Sequence, residues 1–233
     1  MLVVIALFAE PRVSAASSIT SRILIDPVGE YTGDVFGCSV AWVGDVNGDG
    51  YDDLLIGAFR YPEIASLGQA YLYFGGPAID SVADLVIPAP AGGAGWFGVS
   101  VASAGDFNGD GYPDFIIGAQ QSGYEGKAFI YYGGPSLDAT PDLTLTGEST
   151  GSLTAFGASV ASAGDVNEDG FDDVIVGAPW YARRRKQARS RVRVLRRRRA
   201  RCGPGPRVLG RRILRSAGLR GRQRRGHERR WTP

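Results

Sequence analysis

Asp45-Val46-Asn47-Gly48-Asp49-Gly50-Tyr51-Asp52-Asp53 is the first of three copies of one pattern. Asp106-Phe107-Asn108-Gly109-Asp110-Gly111-Tyr112-Pro113-Asp114 and Asp165-Val166-Asn167-Glu168-Asp169-Gly170-Phe171-Asp172-Asp173 are the others, and all read Asp-x-Asn-x-Asp-Gly-x-x-Asp. Oxygen-bearing side chains at alternate positions, followed by a glycine, describe a loop that curls around a hard cation. Ca²⁺ takes about six to eight oxygens at about 2.3–2.6 Å. The candidate side-chain ligands are Asp45, Asn47, Asp49 and Asp53, then Asp106, Asn108, Asp110 and Asp114, then Asp165, Asn167, Asp169 and Asp173. The backbone carbonyl of loop position 7 (Tyr51, Tyr112, Phe171) is a further candidate in each, so about three Ca²⁺ sites are expected. The glycine at position 6 permits a turn that a side chain would hinder. An EF-hand would need a Glu at position 12. Ile56, Ile117 and Val176 stand there, inside apolar runs, which excludes it. The bland alternative is an acidic Asn/Gly turn without metal. Repetition of the same four oxygen positions weighs against it, because crowded carboxylates repel one another without a counter-ion.

Outward from the loops, the surroundings repeat as well, and the repeat decides the fold. Phe36-Gly37, Phe97-Gly98 and Phe156-Gly157 open three units, 97 − 36 = 61 and 156 − 97 = 59 residues apart. A Ser-Val-Ala run (39–41, 100–102, 159–161) leads into each loop. After it comes an apolar run ending in Gly-Ala: 54–58, 115–119 and 174–178. The first two units continue with Ala70-Tyr71-Leu72-Tyr73-Phe74-Gly75-Gly76-Pro77 and Ala128-Phe129-Ile130-Tyr131-Tyr132-Gly133-Gly134-Pro135. They close with Asp84-Leu85-Val86-Ile87 and Asp142-Leu143-Thr144-Leu145. These are four short strands per unit, rich in β-branched and aromatic residues and bounded by Gly, Pro and Asp, with no helical periodicity. That pattern predicts propeller blades. The runs 54–56, 115–117 and 174–176 suit strands covered on both faces, and their Gly-Ala ends suit crowded packing there. Ile23-Leu24-Ile25 reads as the last strand of an earlier blade, or as one that would close a ring.

The Phe-Gly openings and Gly177-Ala178-Pro179 resemble the FG-GAP repeats of integrin alpha subunits and their bacterial relatives. Phe59 and Gln120 replace the last residue of that signature in the first two units. The resemblance covers about residues 20–180. It implies an all-β fold, a β-propeller of four-stranded blades with Ca²⁺ loops joining the first two strands of a blade. It also implies that the loops are mainly structural and that the ring presents its surface loops to a protein partner.

The formal net charge of +2 averages two unlike regions. Residues 1–182 carry 4 Lys+Arg against 23 Asp+Glu, 4 − 23 = −19, whereas 183–233 carry 22 against 1, 22 − 1 = +21. The apolar run 2–9 and the small residues Val13-Ser14-Ala15 resemble a secretory signal, placed at 1–16, though no Lys or Arg precedes the run. It is too short to span a bilayer, and a core strand or short helix is the competing reading. Cys38 and Cys202 make no disulfide framework, and Cys38 reads as a small buried residue. His227 is the single histidine.

From 181 to 233 arginine dominates, and this basic tail is expected to be disordered, with the third unit cut short after Gly177-Ala178-Pro179. A frameshift near residues 180–190 would explain the change. With suitable synonymous codons, 191–197 read one nucleotide later becomes Val-Tyr-Val-Tyr-Phe-Gly-Gly. In the same frame 221–230 becomes Asp-Val-Asn-Gly-Glu-Gly-Thr-Ser-Asp-Val, another loop.

Three units are fewer than the roughly four to eight blades of closed propellers, so an open, partial propeller with exposed apolar blade faces and further blades missing is expected. The functional expectation is a secreted or cell-surface, calcium-binding, adhesion-like fragment for an unknown protein or glycan ligand. It is not expected to be an enzyme, because residues 20–180 contain no histidine and hence no Ser–His or Cys–His pair. No transmembrane segment and no specific nucleic acid partner are expected. The alternatives are a scaffold portion of an extracellular hydrolase and nucleic-acid binding through the basic tail.

Overall fold

The computed structural model describes residues 5–6, 22–23, 25–30, 33–60, 67–91, 95–123, 125–149, 153–180, 182–183, 187–188 and 191–195. Every regular element among them is a strand. A two-residue ladder at the N-terminus pairs β1 (Ile5–Ala6) with β2 (Arg22–Ile23). Blade 1 is β3 (Phe36–Gly44), β4 (Asp53–Ala58), β5 (Gln69–Tyr73) and β6 (Leu85–Pro88), antiparallel and hydrogen-bonded in sequence order. Blade 2 repeats it with β7 (Phe97–Gly105), β8 (Asp114–Ala119), β9 (Lys127–Tyr131) and β10 (Leu143–Thr146). Blade 3 contributes β11 (Ser159–Gly164) and β12 (Asp173–Ala178). A small ladder then joins β13 (Ala182–Arg183) to β14 (Gln187–Ala188), and β15 (Arg191–Leu195) follows. The chain is therefore an open, partial β-propeller of four-stranded blades.

β15 corrects the expectation that blade 3 stops after Gly177-Ala178-Pro179. It pairs with β12 from Val174↔Leu195 to Ala178↔Arg191. This is the register of Leu54↔Tyr73 to Ala58↔Gln69 in blade 1 and Phe115↔Tyr131 to Ala119↔Lys127 in blade 2. Without β15 the second edge of β12 would leave its N–H and C=O groups unpaired, and Arg-Val-Arg-Val-Leu has the alternation a strand needs. The backbone ladder outweighs the unusual composition. The rest of the basic tail, and Cys202 and His227 within it, lie outside the described residues, as do most of the 1–16 leader and Leu24.

Blades stack face to face, and alternation sorts each strand's residues between two neighbours. Leu55, Ala70 and Leu72 of blade 1 meet Phe115, Ile117, Phe129 and Tyr131 of blade 2 in one core. Ile116, Ala128 and Ile130, from the opposite face of blade 2, meet Val174, Val176 and Leu195 of blade 3 in a second. The preceding face of blade 1 packs Leu54, Ile56, Tyr71 and Tyr73 around Ile25. Ile25 thus acts as a plug against blade 1, just beyond the end of β2.

The Phe-Gly and Gly-Ala landmarks are two sides of one junction. A Cβ on Gly57 would strike the carbonyl oxygen of Gly98, and one on Gly118 would strike that of Gly157. Only glycine lets the backbones of successive blades approach this closely. The junction is stitched by the Phe97 N–H to the Leu67 carbonyl (2.9 Å) and the Phe156 N–H to the Glu125 carbonyl (3.2 Å). Cys38 is exposed rather than buried, because it lies in the irregular stretch between Phe36 and Ser39 of β3, an edge strand of the sheet. Its Sγ lies 3.4 Å from the Gly57 and Gly98 carbonyl oxygens.

Candidate metal centres

Each acidic loop joins the first two strands of its blade: Gly44 to Asp53, Gly105 to Asp114, and Gly164 to Asp173. In loop 1 Asp45 Oδ1 accepts the N–H groups of Gly48 (2.7 Å) and Asp49 (2.9 Å), and Oδ2 accepts that of Gly50 (2.8 Å). The Asp49 N–H also reaches Asn47 Oδ1 (2.9 Å). Asp49 accepts the Tyr51 N–H (2.9 Å) and the Asn47 side-chain amide (2.9 Å). Loop 2 repeats this pattern. Asp106 accepts from Gly109 (2.6 Å), Asp110 (3.0 Å) and Gly111 (3.0 Å). Asp110 accepts from Tyr112 (3.0 Å) and the Asn108 amide (2.7 Å), while its own N–H reaches Asn108 Oδ1 (2.7 Å). Position 1 is thus the hub of the loop, a carboxylate that gathers the N–H groups of the turn below it.

Position 9 ties each loop to its blade. Asp53 is fully buried; it accepts the Val46 N–H (2.9 Å) and, from across the sheet, the Gly75 N–H (2.8 Å). Asp114 accepts the Asn108 and Gly133 N–H groups (3.0 and 2.9 Å). Burial pushes the Asp53 carboxyl up to about 6 and the Asp114 carboxyl up to about 7, with the other loop carboxylates adding to the effect. Gly75 and Gly133 must be glycines, because a Cβ would strike the carbonyl oxygens of Asp52 and Pro113 respectively.

Loop 3 departs from its siblings. Asp165 still accepts from Asp169 (3.1 Å) and Gly170 (2.8 Å), and Asp169 from Phe171 (3.1 Å). The Gly170 N–H foremost holds the exposed Asp165 carboxyl below the usual range. But the Asn167 amide donates to Asp173 Oδ2 (2.9 Å), not to Asp169. Glu168 takes a left-handed conformation (φ 56°) where the siblings have glycine. Asp173 Oδ2 also accepts the Val166 N–H (3.2 Å), while its Oδ1, in a residue only 1% exposed, has no partner among the described residues.

The structure therefore links positions 1, 3 and 5 of loops 1 and 2 through shared hydrogen bonds, while position 9 accepts a loop backbone N–H at Val46, Asn108 or Val166. Their donors are all hard oxygens, and carboxylate oxygens that accept one N–H retain a second lone pair. The donor set fits a calcium-class cation. No three carboxylates among the described residues converge as a ready-made cage, since each turns toward backbone N–H groups. Position 12 holds Ile56, Ile117 and Val176, all fully buried within strands, as the exclusion of an EF-hand requires.

Sequence reading missed how the loops and blades are linked. Ser39 Oγ accepts the Val101 N–H of the next blade (2.9 Å), and Ser100 Oγ accepts that of Val160 (3.0 Å). The recurring Ser-Val-Ala run was the available signal; it reads as a strand but is also an inter-blade clasp. Tyr112 lies on Gly48 and Phe171 on Gly109, contacts that no spacing rule exposes.

Stacked antiparallel blades, each with an oxygen-rich loop between its first two strands, define a partial β-propeller with acidic inter-strand loops. The FG-GAP repeat profile matches residues 36–73, 97–131 and 156–195, so it includes β15. Integrin alpha-5 of Xenopus laevis is 36% identical over 168 residues, 67% of this chain and 16% of that protein. Integrin alpha-8 of Mus musculus is 37% identical over 178 residues (71% and 16%), and integrin alpha-7 of Homo sapiens 34% over 172 (72% and 14%). The chain belongs to the FG-GAP repeat family, with integrin alpha-like blades, and it spans about one-seventh of the length of these relatives. No helix among the described residues is long and apolar enough to cross a membrane.

Proposed function

We propose that this chain is a calcium-stabilised, non-catalytic binding module of the extracellular space or cell surface, whose blades carry loops toward a protein or carbohydrate partner. The observation that carries this reading is the threefold loop network: Asp45, Asp106 and Asp165 each gather the turn's N–H groups while neighbouring oxygens of the same loop stay available. Buried Asp53 and Asp114 sit beside other carboxylates, and a divalent cation would stabilise their ionised forms. Three sites of this kind make the metal a clamp between strands. Resemblance to integrin alpha chains supports the adhesion-type role and the extracellular setting, and the apolar leader supports export.

Titrating Ca²⁺ into the full chain tests the clamp. Thermal stability and protease resistance of residues 17–180 rise with millimolar Ca²⁺ and fall again on chelation. A titration with no bound metal and no protection would sink the reading.

A frameshift origin of the basic segment is a second reading, carried by the change of composition after Tyr181, where arginine replaces the acidic, glycine-rich pattern. Sequencing the coding stretch decides it; tail peptides in the mature protein, from an uninterrupted frame, would overturn it.

A further inference from the structure

We infer that each metal loop is completed by the blade that follows it, so that cation affinity at one loop depends on residues of the next. The inference rests on the calcium reading and concerns how the sites are coupled. Loop 1 is covered by loop 2. The Tyr112 ring lies against Gly48, where a Cβ would stand 2.5 Å from Cε1, and Pro113 lies against Gly44 at 2.9 Å. The Gly134 N–H donates to the Val46 carbonyl of loop 1 (2.7 Å). Loop 2 is covered in turn by loop 3. The Phe171 ring lies against Gly109, and Asp172 Oδ2 accepts the N–H of Asp106, the hub carboxylate's own backbone (2.9 Å). The Asp172 N–H returns to the Asp106 carbonyl (3.2 Å). Nothing lies within 4 Å of a Cβ placed on Gly164 of loop 3.

The two loops with a described blade beyond them share the Asn-to-Asp bond from position 3 to position 5, at 2.9 and 2.7 Å. In loop 3, which has no such cover among the described residues and carries Glu168 in place of glycine, the Asn167 amide turns to Asp173 instead. Tyr112, Phe171 and Asp172 are positioning residues for the preceding site: they fix its turn without supplying a side-chain oxygen to it. Occupancy of loop 2 then favours the docked position of blade 3, and loop 1 that of blade 2, by the reciprocity of linked equilibria.

Calcium titration of the full ¹⁵N-labelled chain tests this. The amides of Gly50, Gly111 and Gly170 donate to the three hub carboxylates and so report each loop separately. Asp172→Ala lies in loop 3, at a position outside the ligand set, and removes the acceptor of the Asp106 N–H. It is expected to weaken the response of Gly111 about tenfold, the scale of lost outer-shell support, and to leave Gly50 unchanged. Tyr112→Ser is expected to weaken Gly50, and Tyr112→Phe, which keeps the ring, to restore it. Preserved chemical shifts in the unperturbed blade certify folding. If Gly111 and Gly50 respond with wild-type affinity in both variants, the coupling is overturned and the calcium reading stands. If no glycine of the wild-type chain responds to Ca²⁺, both fall.

Discussion

Blades 2 and 3 begin with nearly the same sequence but meet different surroundings. Blade 2 is covered on both faces, and Phe107 of its loop is 3% exposed in the junction with blade 3. Val166 occupies the same loop position in blade 3 and is 58% exposed. Ile116 is fully buried between blades, whereas Ile175 is half-buried. Gly118 touches the next blade's backbone, while Gly177 meets the side chain of Ser159 in its own sheet. The residues hardly change, but the neighbour does. Local sequence therefore specifies a blade, and the following blade gives that blade's outward face its energetic value, as in other repeat arrays.

Matched substitutions in the two blades measure that difference directly, and denaturant unfolding reads each. The largest effect is expected at the glycine junction. Gly118→Ala places a methyl group in the Gly157 carbonyl, which is backbone and cannot rotate away. It should cost about 3 kcal/mol or more, or prevent docking of blade 3, whereas Gly177→Ala should cost about 1 kcal/mol because a serine side chain can move. Equal losses at the two sites would break the comparison. Next comes the loop apolar position. Phe107→Ala should cost about 3–4 kcal/mol, on the scale of buried aromatic truncations, and Val166→Ala should stay within about 0.5 kcal/mol. A large loss at Val166 would mean that its surface is covered in solution.

How much of this was legible in the sequence follows from the range of each interaction. The strands β3–β12, the loops and the partial propeller are encoded by turn chemistry and periodicity within each unit, and both can be read along the chain. The Gly-Ala ends read as tight packing, and Gly57 and Gly118 meet the next blade's backbone in that way. β15 was not read as a strand: its Arg-Val alternation is short and lies in an arginine-rich stretch without the Gly-Gly-Pro landmark that follows β5 and β9. The plugging role of Ile25 and the exposure of Cys38 were equally hidden, since the first depends on which surface lies opposite and the second on an irregular stretch of an edge strand. At the candidate sites the hydrogen-bonded side chains at positions 1, 3 and 5 were legible because their spacing is local. The contacts of loops 1 and 2 with Tyr112, Phe171 and Asp172 were not, because those residues belong to another repeat.

The smallest expected effect isolates one hydrogen bond from this inter-blade contact. Ser100 Oγ accepts the Val160 N–H across the junction (3.0 Å), as Ser39 accepts that of Val101 (2.9 Å). Ser159 is the third member of the series and has no described blade beyond it. Removing an acceptor leaves a half-buried backbone donor unpaired, so Ser100→Ala should cost about 1 kcal/mol and raise amide exchange at Val160. Ser159→Ala removes no inter-blade bond among the described residues and should be near neutral. The pair is informative because the two serines share sequence context, strand position and loop. Any difference between them therefore belongs to the junction. Equal, near-zero effects would show that the clasp contributes nothing and that glycine contact with apolar burial holds the blades together. Equal, substantial effects would show that Ser159 also has a partner in solution, and hence that the outer face of blade 3 is covered there.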